Sequence, residues 1–349
     1  MRNDSWYPVK MLPLGGLDIV GDVHGEYELL LQLVTSLGYT MEGFHPQART
    51  LVFIGDMCDR GLNSPAVIKW IKGLEQTGRA FAILGNHEIN LLAQEIKDGS
   101  GWFFSSQYPR DLIKYGSLAV VEEEEKAPLL TWLSHLPLVL AREDIRIVHA
   151  CWDRASIADL ESLKAESALA AYQYYEESLP SIVKQSEHYK NFLEDLEFYE
   201  DKRADPNFPM PRLKGLQARD LLRSQYNRVR ILASGPEQTT EFPFYAGGRW
   251  RFTTRLRWWD YYLEDVTVVF GHYWRLLKER TELFSESPLA WLGPRHNCFC
   301  NDYSAGAKWR ERKQSRQDAV SDYHLVALRW PEKVLFTDTG EILPTIDSE

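Results

Sequence analysis

The chain has 349 residues, of which 44% are hydrophobic, and a formal net charge of −10 at pH 7, so it can bury a large core. The acidic charge argues against non-specific nucleic-acid binding, because phosphates require many Lys and Arg contacts. The four cysteines are too few for a disulfide framework, and Cys298 and Cys300 lack the second pair that a structural zinc site needs.

The first hundred residues alternate short apolar runs with amphipathic segments. No basic region followed by an apolar stretch begins the chain, so we expect no signal peptide, no membrane anchor and a cytoplasmic setting. Strands are predicted at residues 17–21, 50–54 and 80–84, and helices at 26–37, 64–77 and from residue 88 onward. Ser64 is predicted to cap the second helix, with Pro65 at its first position. This order predicts an α/β (α+β) fold with a parallel sheet covered by helices.

The pattern changes after residue 99. Residues 144–148 predict a strand of a second, more antiparallel sheet, and further strands are predicted at 266–270, 324–329 and 333–337. A block rich in Ala, Leu and Glu at 155–200, followed by three prolines, predicts long helices. We interpret residues 155–230 as a helical cap inserted into a single domain that spans residues 1–349.

Three short turns follow predicted strands and carry reactive side chains. They read Gly21-Asp22-Val23-His24-Gly25, Gly55-Asp56-Met57-Cys58-Asp59-Arg60-Gly61 and Gly85-Asn86-His87-Glu88, and two later strands end at His149 and His272. Because ligands gather at the carboxyl ends of parallel strands, we expect six donors to converge. They are Asp22, His24, Asp56, Asn86, His149 and His272. These oxygen and nitrogen donors, without sulfur, suit two divalent metal ions that share Asp56.

The residues beside these ligands predict hydrolysis of a phosphoester. Two ions about 3.5–4 Å apart lower the pKa of a shared water, whose hydroxide attacks phosphorus in line. His87 is placed to protonate the leaving oxygen, and Asp59 to hold His87 in position. Arg60 is suited to bind two non-bridging phosphate oxygens at once. We expect Mn²⁺ as the metal, with Fe or Zn as alternatives.

At these residues the chain resembles the phosphoprotein phosphatase branch of the calcineurin-like metallophosphoesterases. The family pattern is GDxHG, GDxxDRG and GNHE followed by two late histidines, and this sequence has the first three without a gap. The resemblance implies a β-sandwich flanked by helices, with the metals at one edge. The first metal would be held by Asp22, His24 and Asp56, and the second by Asp56, Asn86, His149 and His272. It also implies a second phosphate-binding arginine before His272, for which the candidates are Arg249 and Arg251.

The chain departs from the eukaryotic protein phosphatases in ways that bear on substrate. Leu84 stands where they have an arginine, and residues 300–307 look more like the tail of bacterial relatives. Those relatives include protein phosphatases and symmetrical diadenosine tetraphosphate hydrolases. The sequence therefore predicts a phosphomonoesterase of the serine/threonine protein phosphatase type. The alternative is a hydrolase of diadenosine tetraphosphate or a related nucleotide polyphosphate.

A third hypothesis is a metal-bound scaffold without catalysis, which the intact Asp59 and His87 disfavour. Partners are thus a phosphopeptide, a small phosphoester or a dinucleoside polyphosphate. Aromatic residues between the cap and His272 are suited to stack on a base, although packing of the cap is the favoured interpretation. They are Phe242, Phe244, Tyr245, Trp250, Phe252, Trp258, Trp259, Tyr261, Tyr262, Tyr273 and Trp274.

Overall fold

The computed structural model describes residues 6–314 and 321–347. The ends of the predicted domain, residues 1–5 and 348–349, lie outside the described residues, as do residues 315–320. The helices are α1 (Tyr27–Leu37), α2 (Ser64–Gln76), α3 (Asn86–Leu92), α4 (Tyr108–Tyr115), α5 (Glu123–His135), α6 (Arg154–Leu163), α7 (Ala168–Gln185), α8 (Tyr189–Tyr199), α9 (Lys214–Tyr226), α10 (Arg228–Ser234) and α11 (Trp309–Gln314). The strands are β1 (Val9–Met11), β2 (Leu17–Val20), β3 (Thr50–Phe53), β4 (Ala80–Ala82), β5 (Val139–Ala141), β6 (Ile145–Val148), β7 (Glu237–Ala246), β8 (Arg249–Arg255), β9 (Thr267–Phe270), β10 (Cys298–Cys300), β11 (Val326–Trp330), β12 (Val334–Thr337) and β13 (Ile342–Pro344).

Two large sheets form the centre of the fold. The first has the order β13-β12-β11-β2-β3-β4, and β2, β3 and β4 are parallel, as the alternating pattern predicts. The second has the order β1-β5-β6-β9-β10, in which only the β5–β6 pair is antiparallel. The prediction of a more antiparallel second sheet was therefore wrong. The long connection between β6 and β9 returns the chain to the same end of the sheet, which makes that pair parallel.

Apolar side chains fill the space between the two sheets. Ile19 and Val52 of the first sheet pack in one buried cluster with Ile147 and Val269 of the second. Successive side chains along a strand point to opposite faces, so Phe53 joins a different cluster, which includes residues of α1 and α2. Both faces of the first sheet are thus covered. The fold is mixed α/β with sheets flanked by helices, as predicted.

Local signals set the boundaries of the first helices. α1 ends at Gly38, which has a left-handed φ of 93°. α2 has Pro65 in its first turn, but its cap is Asn63, whose side chain accepts a hydrogen bond from the backbone N–H of Ala66 at 3.1 Å. The prediction of Ser64 as the cap was wrong because the Ser64 hydroxyl instead accepts from the backbone N–H of Asp59.

Five helices, α6 to α10, and the β7–β8 hairpin lie between β6 and β9. Met210, Leu213 and Leu216 form a small core with Phe252 of the hairpin. Helices α7 and α10 contact α3, the helix that begins at Asn86. These helices occupy most of the predicted cap, whose role as an insertion stays a prediction. Within the described ranges, no helix combines the length and apolarity that crossing a bilayer requires. All four cysteines are buried and free.

Candidate metal centre and active site

Asp56 lies at the centre of the predicted site. Its Oδ2 is 3.6 Å from Nε2 of His24, and its Oδ1 is 3.3 Å from Nε2 of His149. In the part of the chain that the structure describes, two groups of three side chains could each hold a metal ion, and both groups include this carboxylate. They are His24, Asp56 and His87, and Asp56, His149 and His272. The structure therefore brings the predicted ligands to both sides of one carboxylate.

Asn86 and Asp22 adjoin these groups in different ways. The Oδ1 atom of Asn86 is 2.7 Å from Nδ1 of His272 and 3.3 Å from Nε2 of His149. A carboxylate oxygen of Asp22 accepts a hydrogen bond from the backbone N–H of His272 at 3.1 Å. Neither group of three within residues 6–314 and 321–347 contains Asp22. His87, which the sequence predicts as the acid, lies in the first group.

Backbone carbonyl groups orient two of the imidazoles. Nδ1 of His24 is 3.0 Å from the carbonyl oxygen of Cys58, and Nδ1 of His149 is 2.7 Å from that of Ile54. A carbonyl oxygen only accepts hydrogen bonds, so each Nδ1 carries a proton and each Nε2 is the nitrogen left to face an ion. Both Nε2 atoms are on the side of Asp56, the arrangement that metal ligation requires.

Asp59 connects His87 to a buried tryptophan. Nδ1 of His87 donates to Oδ2 of Asp59 at 2.6 Å, and the indole N–H of Trp102 donates to Oδ1 at 2.6 Å. Nη2 of Arg60 lies 3.1 Å from Nε2 of His87, so the predicted acid, its partner and the predicted phosphate ligand are adjacent. Trp102 was not predicted, because it lies in a segment where the sequence pattern is weak.

Glu88 links the second turn to the third through hydrogen bonds. Its carboxylate accepts hydrogen bonds from the backbone N–H groups of Asp56 and Met57 at 2.8 Å and of Gly85 at 2.9 Å. Gly85 is needed there because a Cβ atom would collide with the carboxylate of Asp56. Burial, then the charge of Asp56, raises the pKa of Glu88. Glu88, for which the sequence suggested no role, therefore fixes the position of the central carboxylate.

Several site residues have strained backbone conformations. Left-handed φ angles between 48° and 72° occur at His24, Asp56, Asp59, Arg60 and His272. Residues other than glycine rarely adopt this region, at a cost of order 1–3 kcal/mol each. Such strain persists where the surrounding structure enforces it, and it clusters at functional sites.

The charges of the buried groups depend on one another. Burial, then the charge of Asp302, raises the pKa of Asp22 well above its usual range. Burial also disfavours the ionised form of Asp56, but the charges of His149 and His87 outweigh it and hold the pKa of Asp56 well below its usual range. Burial disfavours protonated His149, yet Asp56 and Asp22 raise its pKa to about 10. Placing these acids together in a buried site therefore disfavours the ionised form of Asp22, while the histidines stabilise that of Asp56.

Two further charged residues lie at the site, and the sequence assigned no role to either. Asp302 is 1% exposed, and its Oδ1 accepts a hydrogen bond from the backbone N–H of Ser304 at 2.8 Å. Its Oδ2 has no hydrogen-bond partner in the described part of the chain, and burial raises the pKa of Asp302 to about 6. The charge of Arg255 acts on both Asp302 and His272, and its guanidinium lies 5.3 Å from the ring centre of Tyr273.

Arg249 and Arg251, the predicted second phosphate ligands, lie farther from His272 than Arg255 does. All three arginines are on β8, where a rise of roughly 3.3 Å per residue places Arg251 ~13 Å and Arg249 ~20 Å beyond Arg255. Their charges interact instead with Asp220 on α9. Their role as second phosphate ligands stays a prediction, and Arg255 is the arginine of β8 whose charge acts on His272.

The aromatic segment contains packing residues and residues at the site, such as Tyr273, whose ring centre lies 5.2 Å from that of His272. Trp258 is 6% exposed, and its ring centre lies 5.0 Å from that of Phe270. The indole N–H of Trp250 donates to the carbonyl oxygen of Asp205 at 2.8 Å. Trp274, by contrast, has the guanidinium of Arg60 5.0 Å from its ring centre. Packing therefore accounts for Trp258, and Trp274 is the aromatic side chain beside the predicted phosphate ligand.

A mixed α/β sandwich with oxygen and imidazole donors converging on a shared carboxylate defines the class of metal-dependent phosphoesterases. A family model described as calcineurin-like phosphoesterase matches residues 17–235 of this chain. The chain belongs to the calcineurin-like phosphoesterase family and is a metal-dependent hydrolase.

Two relatives are named as bis(5'-nucleosyl)-tetraphosphatases. The chain is 27% identical over 271 residues to a symmetrical bis(5'-nucleosyl)-tetraphosphatase of Methylobacillus flagellatus, a match over 76% of this chain and 84% of that protein. It is 33% identical over 141 residues to an asymmetrical bis(5'-nucleosyl)-tetraphosphatase of Bacillus subtilis, which covers 37% of this chain and 57% of that protein. A crystal structure of the cold-active protein-tyrosine phosphatase of a Shewanella species matches 97% of this chain and 82% of that one, at 15% identity and a TM-score of 0.47. That structural likeness is too distant to bear on substrate.

Proposed function

We propose that this protein hydrolyses dinucleoside polyphosphates of the diadenosine tetraphosphate type. The observation that carries the chemistry is the Asp56 carboxylate between two groups of ligand side chains, next to the Asp59–His87 pair. The names of the two relatives favour this substrate class over the protein phosphatase activity that the sequence put first.

The side chains around Asp56 fit two divalent cations. The Nε2 atoms of His24 and His149 are on the side of Asp56, and the carboxylates of Asp22 and Asp56 are buried there. We assign Asp22, His24 and Asp56 to one ion, and Asp56, Asn86, His149 and His272 to the other. Bound ions of this kind supply positive charge for phosphate oxygens and a water of lowered pKa. Mn, Fe or Zn suit this donor set.

His87 supplies the proton for the leaving oxygen in this proposal. Asp59 accepts the Nδ1–H of His87, which directs Nε2 away from Asp59 and toward Arg60, the side on which we place the substrate phosphate. His87 therefore serves as the general acid, and Asp59 sets its orientation.

Arg60 and Arg255 bind the phosphate that is attacked. The two Nη atoms of Arg60 lie 3.0 Å from His24 and 3.1 Å from His87, so the guanidinium faces both the proposed metal ligand and the acid. The charge of Arg255 acts on His272, which would hold the other ion. Two guanidinium groups in these positions would hold the non-bridging oxygens and align phosphorus for in-line attack.

The proposal is tested by supplying Mn²⁺ to metal-stripped protein and comparing diadenosine tetraphosphate with phosphoserine and phosphothreonine peptides. We expect faster turnover of the dinucleotide, measured by chromatography of the nucleotide products. ADP alone would indicate symmetrical cleavage, and ATP with AMP would indicate asymmetrical cleavage. A higher kcat/KM for the peptides would overturn the proposed substrate class and restore the protein phosphatase hypothesis. The matched variant His87→Asn should lose turnover of whichever substrate is preferred.

A further inference from the structure

Arginines without matching carboxylates gather along one side of the β7–β8 hairpin. Arg249, Arg251 and Arg255 are separated by even numbers of residues on β8, so they share one face of the strand. Arg230 of α10 is close enough for its charge to act on Arg251. Among residues 6–314 and 321–347, no carboxylate oxygen lies within 4.0 Å of a side-chain nitrogen of any of these four arginines. Partly buried arginines are usually paired, and this chain has an excess of acids to pair them with.

Arg249, Arg251 and Arg255 form a row along β8, and a buried arginine beside this row has hydrogen-bond donors without acceptors. Arg203 is 4% exposed, and its Nη1 donates to Glu200 at 3.1 Å, but its Nε and Nη2 have no hydrogen-bond partner in the described residues. Nη2 of Arg203 lies 3.6 Å from the carboxylate of Asp220, which Arg219 also contacts at 3.2 Å. One carboxylate therefore serves two arginines. Buried donors left without partners are costly, which points to a ligand that supplies acceptors.

The electrostatics of the row agree with its geometry. Burial, then the charge of Arg251, lowers the pKa of Arg249 to about 10. Burial also lowers the pKa of Arg251, and the charges of Arg203 and Arg230 add to it. The nearby carboxylates of Asp220 and Glu237 offset this repulsion only in part. An anion placed among these side chains would stabilise their charged forms.

We propose that Arg249, Arg251, Arg203 and Arg219 form a second phosphate-binding subsite, which holds the phosphates of an oligophosphate chain beyond the one that is attacked. This inference rests on the proposed function, because it assigns the row to the distal part of that substrate. β8 extends from Arg255, next to His272, to Arg249 at its far end, so the row leads away from the metal centre. Guanidinium groups match phosphate oxygens in pairs, and a substrate with several phosphates would extend from the metal centre toward Arg251 and the arginines around it.

The first test is calorimetric titration of the full chain with inorganic tripolyphosphate, with and without Mn²⁺. The double variant Arg249→Gln/Arg251→Gln should bind tripolyphosphate at least tenfold more weakly in both conditions, since each lost charge-assisted contact accounts for about tenfold. The control Arg228→Gln removes an arginine of α10 that already pairs with Asp159 at 2.8 Å, and it should stay within about twofold of wild type. Equal affinity of the double variant and the wild type would overturn the subsite.

The second test separates substrate binding from a structural role. In the double variant, the ratio of kcat/KM for diadenosine tetraphosphate to that for p-nitrophenyl phosphate should fall at least tenfold. The thermal midpoint should stay equal or rise, because removing unpaired like charges relieves repulsion. Equal loss on both substrates, or a lowered midpoint, would show that the arginines serve the fold instead.

Failure of the proposed function leaves a distinct result. If wild type does not hydrolyse the dinucleotide, the proposed function fails, and the tripolyphosphate titration still decides the subsite. If the double variant does not fold, Arg251→Gln alone is titrated, with a loss of at least about threefold expected and no loss contradicting the proposal.

Discussion

Replacing Trp102 with phenylalanine should slow proton transfer without touching metal or substrate. The indole N–H is the donor to Oδ1 of Asp59, while Oδ2 accepts from His87, both at 2.6 Å. A hydrogen bond to a buried charged group contributes about 1.5–3 kcal/mol, and 1.36 kcal/mol is tenfold in rate. If Trp102 holds Asp59 under His87, Trp102→Phe should lower kcat by roughly 10- to 100-fold where leaving-group protonation limits the rate.

The assay compares phenyl phosphate with p-nitrophenyl phosphate, because the nitrophenolate leaves without much protonation. We expect a large loss on phenyl phosphate and a small one on p-nitrophenyl phosphate, with metal content unchanged. Trp132→Phe is the matched control, since Trp132 is also buried and donates to Glu75 at 3.3 Å, outside the site. An equal loss on both esters, or the same loss in the control, would refute a positioning role for Trp102.

Four further outcomes follow from the site. His87→Asn should lower turnover of phenyl phosphate by about 10²- to 10⁴-fold with both metals retained, and wild-type turnover would remove His87 from the acid role. Arg60→Ala should raise KM and lower kcat, by about tenfold or more in kcat/KM, and unchanged kinetics would contradict phosphate binding. Burial raises the pKa of Asp302 from 3.8 to about 6. Protonation of Asp302 therefore stabilises the folded state fully below about pH 4, and this stabilisation is lost as the pH rises through 6. The free energy of unfolding of metal-free Asp302→Asn, measured with denaturant, should therefore exceed that of wild type by up to about 3 kcal/mol at pH 7.5 but not at pH 4. Equal free energies of unfolding at both pH values would contradict this. Chelation should abolish turnover and lower the thermal midpoint, and an activity that survives verified metal removal would exclude the proposed mechanism.

The three turns were predictable because their information is local. Each joins a strand to a helix, and His24 follows Asp22 by two residues, so spacing alone predicts a shared site. Trp102 and Asp302 were not predictable, because neither stands in a motif and tertiary packing alone brings them to the site. Burial and the hydrogen bond to Asp59 identify Trp102 only once the fold is known.

The position of Arg249 and Arg251 relative to His272 was not predictable for a similar reason. No strand was predicted at residues 249–255, and the pairing of β8 with β7 decides which end of β8 adjoins His272. That pairing contains a register shift between Thr239 and Phe244, which the sequence did not signal. The direction of β9 likewise depends on the path of the helices before it rather than on its own residues.

The hydrogen bond from His272 to Asp22 joins residues that are 250 positions apart. A growing polypeptide completes the first three turns early in synthesis but lacks this late histidine until most of the chain has left the ribosome. A partly made chain therefore has an incomplete coordination sphere for the ion that we assign to His272. Tight retention of both ions would mark a chain that has been finished and folded.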